Sequence, residues 1–247
     1  MAVAADDADS SAGSPRRYGG VSADERRAQR RERLIEAGFE VFGREGYLQG
    51  TMRLVCAHAR LSERYFYENF ESLDDLYRAV HRRASSKVGE AVMRRLASLP
   101  ATDGVAMTRA GLEAYFELVL ADPRLGRIML TDAVTTGMTN PQILGTRAAA
   151  WADMIRDRLR VLYPEMRQEL DVDYLLIGFG GVIVQVGAMW MDRKCATPIP
   201  QLVDHIIYAW RGLHLWLSEA SAAKRAAQAV ASGHSEAEAQ PVPGASA

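Results

Sequence analysis

From residue 23 to residue 221 the apolar side chains recur at three- and four-residue intervals, and no stretch alternates as a half-buried strand requires. That pattern predicts an all-α chain, divided into helices by proline, glycine and small capping residues. The first helix carries Leu34, Ile35, Gly38, Val41 and Phe42 on one stripe and stops at Gly46, which suits the left-handed position after a helix end. Thr51 starts a short helix holding Leu54 and Val55, and Ser62 caps another holding Phe66 and Tyr67. Ser72, three residues before Asp75, opens a fourth in a capping-box pattern, with Leu73, Leu76, Tyr77 and Val80 inward.

After a break at Ser98 to Gly104, a helix over 105–121 turns Leu112, Tyr115, Phe116 and Val119 to the core. Asp122-Pro123 and Asn140-Pro141 each pair an N-cap with a first-turn proline, restarting helices to about 135 and to Tyr163. Two long apolar helices follow near 173–192 and 200–220, split by Thr197-Pro198-Ile199-Pro200. Residues 1–22 and 222–247 are rich in Ala, Ser, Gly, Asp and Glu, and are expected to be disordered tails.

The formal net charge of −1 says nothing of a polyanionic partner, but its distribution does. Arg16, Arg17, Arg26, Arg27, Arg30, Arg31 and Arg33 crowd a stretch answered only by Asp24, Glu25 and Glu32. Taken alone, this cluster fits a solvated basic arm as well as it fits a phosphate-binding one. Cys56 and Cys195 stand in no metal-ligand spacing and read as inert thiols of a reducing cytoplasm. No signal peptide is evident, and the longest apolar stretch, Tyr174 to Met191, is broken by four glycines and Gln185. A cytoplasmic protein is expected.

Three short helices in about fifty residues, the second and third joined by Ala59-Arg60-Leu61-Ser62, have helix-turn-helix dimensions. In the helix from Ser62 to Phe70, Phe66 and Phe70 face a small core. Glu63, Arg64, Tyr65, Tyr67 and Asn69 point elsewhere, toward a groove or phosphates.

Here the chain resembles the DNA-binding domain of TetR-family regulators. The resemblance runs from Leu34-Ile35, Ala37 and Val41-Phe42 through Gly46-Tyr47, Thr51, Val55, Ala59 and Leu61-Ser62. It continues to Phe66-Tyr67, Phe70 and Ser72 to Leu76, covering about residues 26–85. It implies a DNA-binding domain at 23–86 and a helical ligand-binding and dimerisation domain at 87–221. It further implies a homodimer on a near-palindromic operator, acting as a repressor and released by a small, largely apolar ligand. Thr51 and Tyr67 then approach phosphates, Ser62, Glu63, Arg64 and Tyr65 enter the major groove, and Arg64 is the candidate base reader, a phosphate or surface contact being its other reading. Tyr65 fits an apolar or phosphate contact better than a base.

The sequence departs from the family at Arg60, where glycine is usual, at Asn69 for histidine, and at Leu73 for a phosphate-contacting lysine. Arg60 is expected in the backbone conformation glycine prefers. Asn69 keeps a hydrogen bond for a phosphate, and Arg30 and Arg31 are candidates to compensate for Leu73.

In the second domain Tyr115, Phe116, Met129, Trp151, Phe179, Gln185 and Trp190 are candidate ligand-lining residues, although ordinary core explains each singly. Gly181, Val184, Ile206, Trp210, Leu213 and Leu217 are candidates for the dimer seam that the resemblance implies, although burial within one protomer also explains them. An enzyme is the contrasting reading, through Asp153 and Asp157, Glu113 and Glu117, or His205 near Asp204. These pairs lack a nucleophile, a phosphate loop or metal spacing, so no cofactor is expected. A third reading keeps the fold as a protein-binding module without DNA affinity, favoured by Leu73 and the near-neutral charge.

Overall fold

The computed structural model describes residues 22–99, 103–134, 156, 157, 159, 161, 163, 164 and 171–238, and every element among them is helical. The expectations for residues 1–21, the helix start at Asn140-Pro141, Trp151 and residues 239–247 lie outside the described residues.

Helix α1 spans Ala23–Glu45. Ser22 Oγ accepts the Glu25 N–H at 3.1 Å and the Ser22 N–H donates to the Glu25 carboxylate at 2.5 Å, a closed capping box. The helix ends at Gly46 with φ +86°, where an added Cβ would lie 2.9 Å from Arg127 Nε. Backbone and space therefore both require glycine there. Short helices α2 (Met52–Ala59) and α3 (Glu63–Tyr67) follow, then the long α4 (Leu73–Leu96).

Thr51 caps α2 by accepting the Leu54 N–H at 3.2 Å, and Ser72 caps α4 through the Asp75 N–H at 3.1 Å. The Asp75 carboxylate accepts from the Glu71 N–H at 3.4 Å, so the reciprocal bond forms one residue before the cap. Ser62 corrects the expectation. It has extended backbone at the start of α3, but its side chain makes no cap bond. The helix predicted over 62–70 is also shorter, ending at Tyr67.

Leu34, Val41, Phe42, Val55, Phe66, Phe70, Leu76, Tyr77 and Val80 are buried together, and α3 packs against α2 and α1. Phe42, Tyr47 and Tyr77 close this core at the far end of α1, with Phe42 and Tyr77 edge to face at 5.1 Å and Tyr47 4.6 Å from Tyr77.

Helix α5 (Gly104–Ala121) packs on α4, and its inward residues Leu112, Tyr115, Phe116 and Val119 are buried as predicted. Asp122 caps the one-turn α6 (Pro123–Gly126), which runs into a π-helical turn over Arg127–Thr131. Helices α7 (Val172–Asp192) and α8 (Ile199–Glu238) complete the described fold.

Two boundaries differ from expectation. The line between domains at 86/87 falls inside α4, because the buried row Tyr77, Val80, Ala84, Val88 and Val92 continues without a break. Helix α8 continues past residue 221 to Glu238. Ala222, Ala223, Ala226, Ala227 and Ala229 are strong helix formers, so a segment poor in large apolar groups is helical all the same.

Candidate nucleic-acid interface

Phe66 and Phe70, 1% and 2% exposed, anchor α3 to the core and turn its other side outward. Ser62, Glu63, Arg64, Tyr65 and Tyr67 are all exposed, which brings five of the predicted DNA-facing residues onto one surface. Thr51 is exposed at the start of α2, and the hydroxyl that accepts the Leu54 N–H still has its proton to give.

The turn that sets α3 against α2 is held by unusual means. Arg60 has φ +51° and ψ +46°, the left-handed conformation expected of it. Arg33 of α1 spans the turn, donating to the Ala59 carbonyl at 2.6 Å. That role was not foreseen for Arg33.

The basic cluster is built into α1 beside α3. Arg30 stacks over the Tyr65 ring at 4.7 Å and lies 3.7 Å from the Glu68 carboxylate, with its side chain only 23% exposed. Arg31 stands over Phe70 at 4.8 Å and remains exposed. Arg27 donates to the Glu68 carbonyl at 2.7 Å. Arg64 stands outward, 86% exposed, and its Nε meets Glu68 Oε1 at 3.1 Å. Glu68 was missed in the sequence, although its i,i+4 spacing from Arg64 was there to read.

Asn69 is corrected. Its amide donates to the Tyr65 carbonyl at 2.8 Å and closes the end of α3, while its Oδ1 is buried. A short amide side chain next to a helix end meets the last carbonyls before it meets solvent.

In the second domain Tyr115, Phe116, Met129 and Trp190 do come together. Phe116 is edge to face with Tyr115 at 5.1 Å and with Trp190 at 5.5 Å. Phe179 is set apart against Trp210 at 5.1 Å, and Gln185 is exposed.

The predicted seam divides as well. Ile206 and Leu217 are 2% and 1% exposed, so they face the protomer's own core and leave the seam. Val184, Trp210 and Leu213 pack against the cores from half-buried positions. Gly181 is exposed with open space around it. The large apolar side chains that α7 and α8 expose are others: Tyr174, Ile177, Met189, Tyr208, Leu215, Trp216 and Val230.

A polar joint ties the two halves. Arg124 pairs with Glu40, Arg127 donates to the Glu45 carbonyl at 3.0 Å, and the Tyr47 N–H donates to Asp132 at 2.9 Å. Burial pushes the Asp132 carboxyl up to about 6, against the opposing pull of the Tyr47 N–H and Arg127. Burial, then the bond to Asp74, pushes Tyr47 up to about 12.

Of the acidic residues considered for catalysis, Glu113, Glu117 and Asp204 are held in ion pairs. Glu117 pairs with Arg95 at 2.6 Å, Glu113 with Arg109 at 3.8 Å, and Asp204 with Arg109 at 2.5 Å, while Asp153 lies outside the described residues. Among the described residues no group of three acidic, His or Cys side chains is placed to hold a metal, and no helix is long and apolar enough to cross a membrane.

An exposed short helix after a tight turn, braced by a long scaffold helix, defines a helix-turn-helix DNA-binding regulator. Residues 34–80 match the family described as bacterial regulatory proteins, tetR family. The chain is 31% identical over 207 residues to the HTH-type transcriptional activator FasR of Mycolicibacterium smegmatis, covering 82% of this chain and 89% of that one. A TetR-family transcriptional regulator from Streptomyces coelicolor shares the fold with a TM-score of 0.59 at 18% identity, over 80% of this chain and 86% of its own. So does the regulator FadR from Bacillus subtilis in complex with stearoyl-CoA, with a TM-score of 0.53 at 16% identity, over 72% and 95%. The chain belongs to the TetR family of DNA-binding transcriptional regulators.

Proposed function

We propose that this regulator binds a near-palindromic operator as a homodimer, and that a small, largely apolar ligand weakens that binding. The observation that carries the DNA half is the α3 surface, where Ser62, Glu63, Arg64, Tyr65 and Tyr67 are exposed together over a fixed core. Arg64 reads a base, since a guanidinium fork fits guanine O6 and N7. Thr51, Tyr67, Arg30 and Arg31 contact phosphates and set the register. Arg30 does so as a stacked side chain rather than as part of a loose arm.

The dimer forms through the outer faces of α7 and α8. Large exposed apolar side chains mark an association surface in a water-soluble fold, and Tyr174, Ile177, Tyr208, Leu215 and Trp216 are each about half exposed or more. Gly178, Gly181 and Gly212, with open space where a Cβ would stand, allow a second pair of helices to approach closely.

The ligand enters near Tyr115, Phe116, Met129 and Trp190. Met129 belongs to the π-turn whose first residue, Arg127, and following residue, Asp132, hold the end of α1 and the loop after it, so displacement there reaches the DNA-binding helices directly. A long acyl chain is the ligand class to test first, because the Bacillus subtilis FadR with this fold is held with stearoyl-CoA. Repression and activation use the same DNA contact, and the position of the operator relative to the promoter decides between them.

The test is reciprocal. Stearoyl-CoA is titrated with and without a duplex the protein selects from random DNA. A coupling of about 1–3 kcal/mol weakens each partner's binding roughly 5- to 150-fold, by the same factor in both directions. Identical affinities in the two titrations reject the acyl-ligand switch and leave DNA binding standing.

A further inference from the structure

We propose that Glu68 is the positioning residue for sequence readout: it holds the Arg64 guanidinium by its Nε and turns the two Nη groups outward as the fork that meets a guanine. The proposal rests on Arg64 reading a base.

Glu68 follows α3 directly, one helical turn beyond Arg64. Its two carboxylate oxygens do different work. Oε1 accepts from Arg64 Nε at 3.1 Å, and Oε2 lies 3.7 Å from Arg30 Nη2. Arg30 is fixed in turn by the Tyr65 ring beneath it at 4.7 Å, and Arg27 holds the Glu68 backbone by a 2.7 Å bond to its carbonyl. The chain of contacts runs from α1 through Glu68 to the most exposed cation on α3, with Glu68 34% and Arg64 86% exposed.

An exposed i,i+4 ion pair contributes little to stability. A carboxylate beside a DNA-facing surface also repels phosphate. Fold stability and affinity therefore give little reason for an acid here, whereas orientation does. Arginine loses considerable rotamer freedom on binding, and a side chain held in place beforehand loses less. With Nε engaged, the end-on pair of Nη groups is the fork left for a base edge.

This role separates from a structural one by sign. Removing the carboxylate removes a negative charge near the phosphates, so binding to mixed-sequence DNA strengthens. Discrimination at the base pair under Arg64 weakens at the same time. A packing defect would weaken both.

The experiment selects binding sites from a pool of randomised DNA duplexes with the full chain, Glu68→Gln, Glu68→Ala, Arg64→Ala and the Glu68→Ala/Arg64→Ala pair. Thermal melting of each protein is recorded alongside. Preference at one base pair per half-site is expected to fall about 5- to 10-fold in Glu68→Ala, a part of what a bidentate contact provides, and less in Glu68→Gln. In the Arg64→Ala background, Glu68→Ala should cause no further loss at that position.

Glu68 variants with the wild-type preference, while Arg64→Ala loses it, overturn the positioning role and leave base reading intact. Loss spread evenly over all positions with a lowered melting temperature assigns Glu68 to the fold and overturns it too. Arg64→Ala with an unchanged preference overturns base reading, and this proposal with it.

Discussion

The backbone N–H of Tyr47 donates to the Asp132 carboxylate at 2.9 Å, joining the loop after α1 to the end of the π-turn across 85 residues of sequence. Asp132 is 7% exposed, and burial holds its carboxyl near 6 instead of 3.8. Between those two values the folded chain binds a proton that the unfolded chain does not. Stability therefore falls as pH rises through that window, by at most ~2–3 kcal/mol. Asp132→Asn keeps an oxygen for the Tyr47 N–H and removes the titration. Melting curves of both proteins should show the variant gaining on the wild type as pH rises from about 4 to about 6, with a constant difference above it. A difference that does not change with pH would mean that Asp132 does not titrate in this window.

Arg60 occupies a left-handed conformation that costs a residue with a Cβ on the order of 1 kcal/mol. Arg60→Gly relieves that strain and adds some entropy to the unfolded chain. Melting without DNA should stay level or rise, by no more than about 2–4 °C. A clear fall would show that the Arg60 side chain contributes contacts worth more than the strain.

Two glycines of α7 answer oppositely. A Cβ on Gly187 would meet Leu130 at 2.8 Å and Phe116 at 3.1 Å, whereas one on Gly181 meets nothing within 4 Å. Gly187→Leu should lower stability by roughly 1–3 kcal/mol through overpacking. Gly181→Arg should give folded monomers in sedimentation, with DNA affinity reduced because the second half-site no longer helps. A Gly181→Arg dimer would place the seam elsewhere.

Exposed cations set the salt dependence. Arg31→Ala should flatten the fall of log affinity with log salt by about one phosphate's share per subunit, leaving sequence preference as it was. Anisotropy titrations across a salt series measure it. An unchanged slope removes Arg31 from the DNA contact.

The helix-turn-helix was legible because its spacing is local. Phe66 and Phe70 had to face inward together, and that alone turned Arg64, Tyr65 and Tyr67 outward. The positive φ of Arg60 was legible only through the family resemblance, because glycine is usual at that position. Partnership over long distance was not legible. The bond of Arg33 to the Ala59 carbonyl and the joint of Asp132 with Tyr47 depend on how helices pack, and no spacing in the chain states it.

Helix α8 shows a further limit. It is apolar on two faces; its periodicity fitted burial within the protomer as well as a seam, and the family resemblance assigned Ile206 and Leu217 to the seam. In the fold they face the protomer core, while Tyr208, Leu215 and Trp216 face out. The alanine-rich end of α8 was misjudged because low hydrophobicity limits burial and leaves helix propensity untouched.

Recognition of DNA by this protein rests on the α3 surface. Arg64, Tyr65 and Tyr67 are exposed, so replacing all three with alanine should leave the melting temperature within a few degrees of the wild type. Footprinting on a selected duplex measures what they do. The wild type should protect two patches on one face of the helix, centred about 34–36 Å apart or a multiple of that, and the triple variant should protect neither. Protection of the same two patches by the folded triple variant would show that α3 is not the DNA-recognising surface.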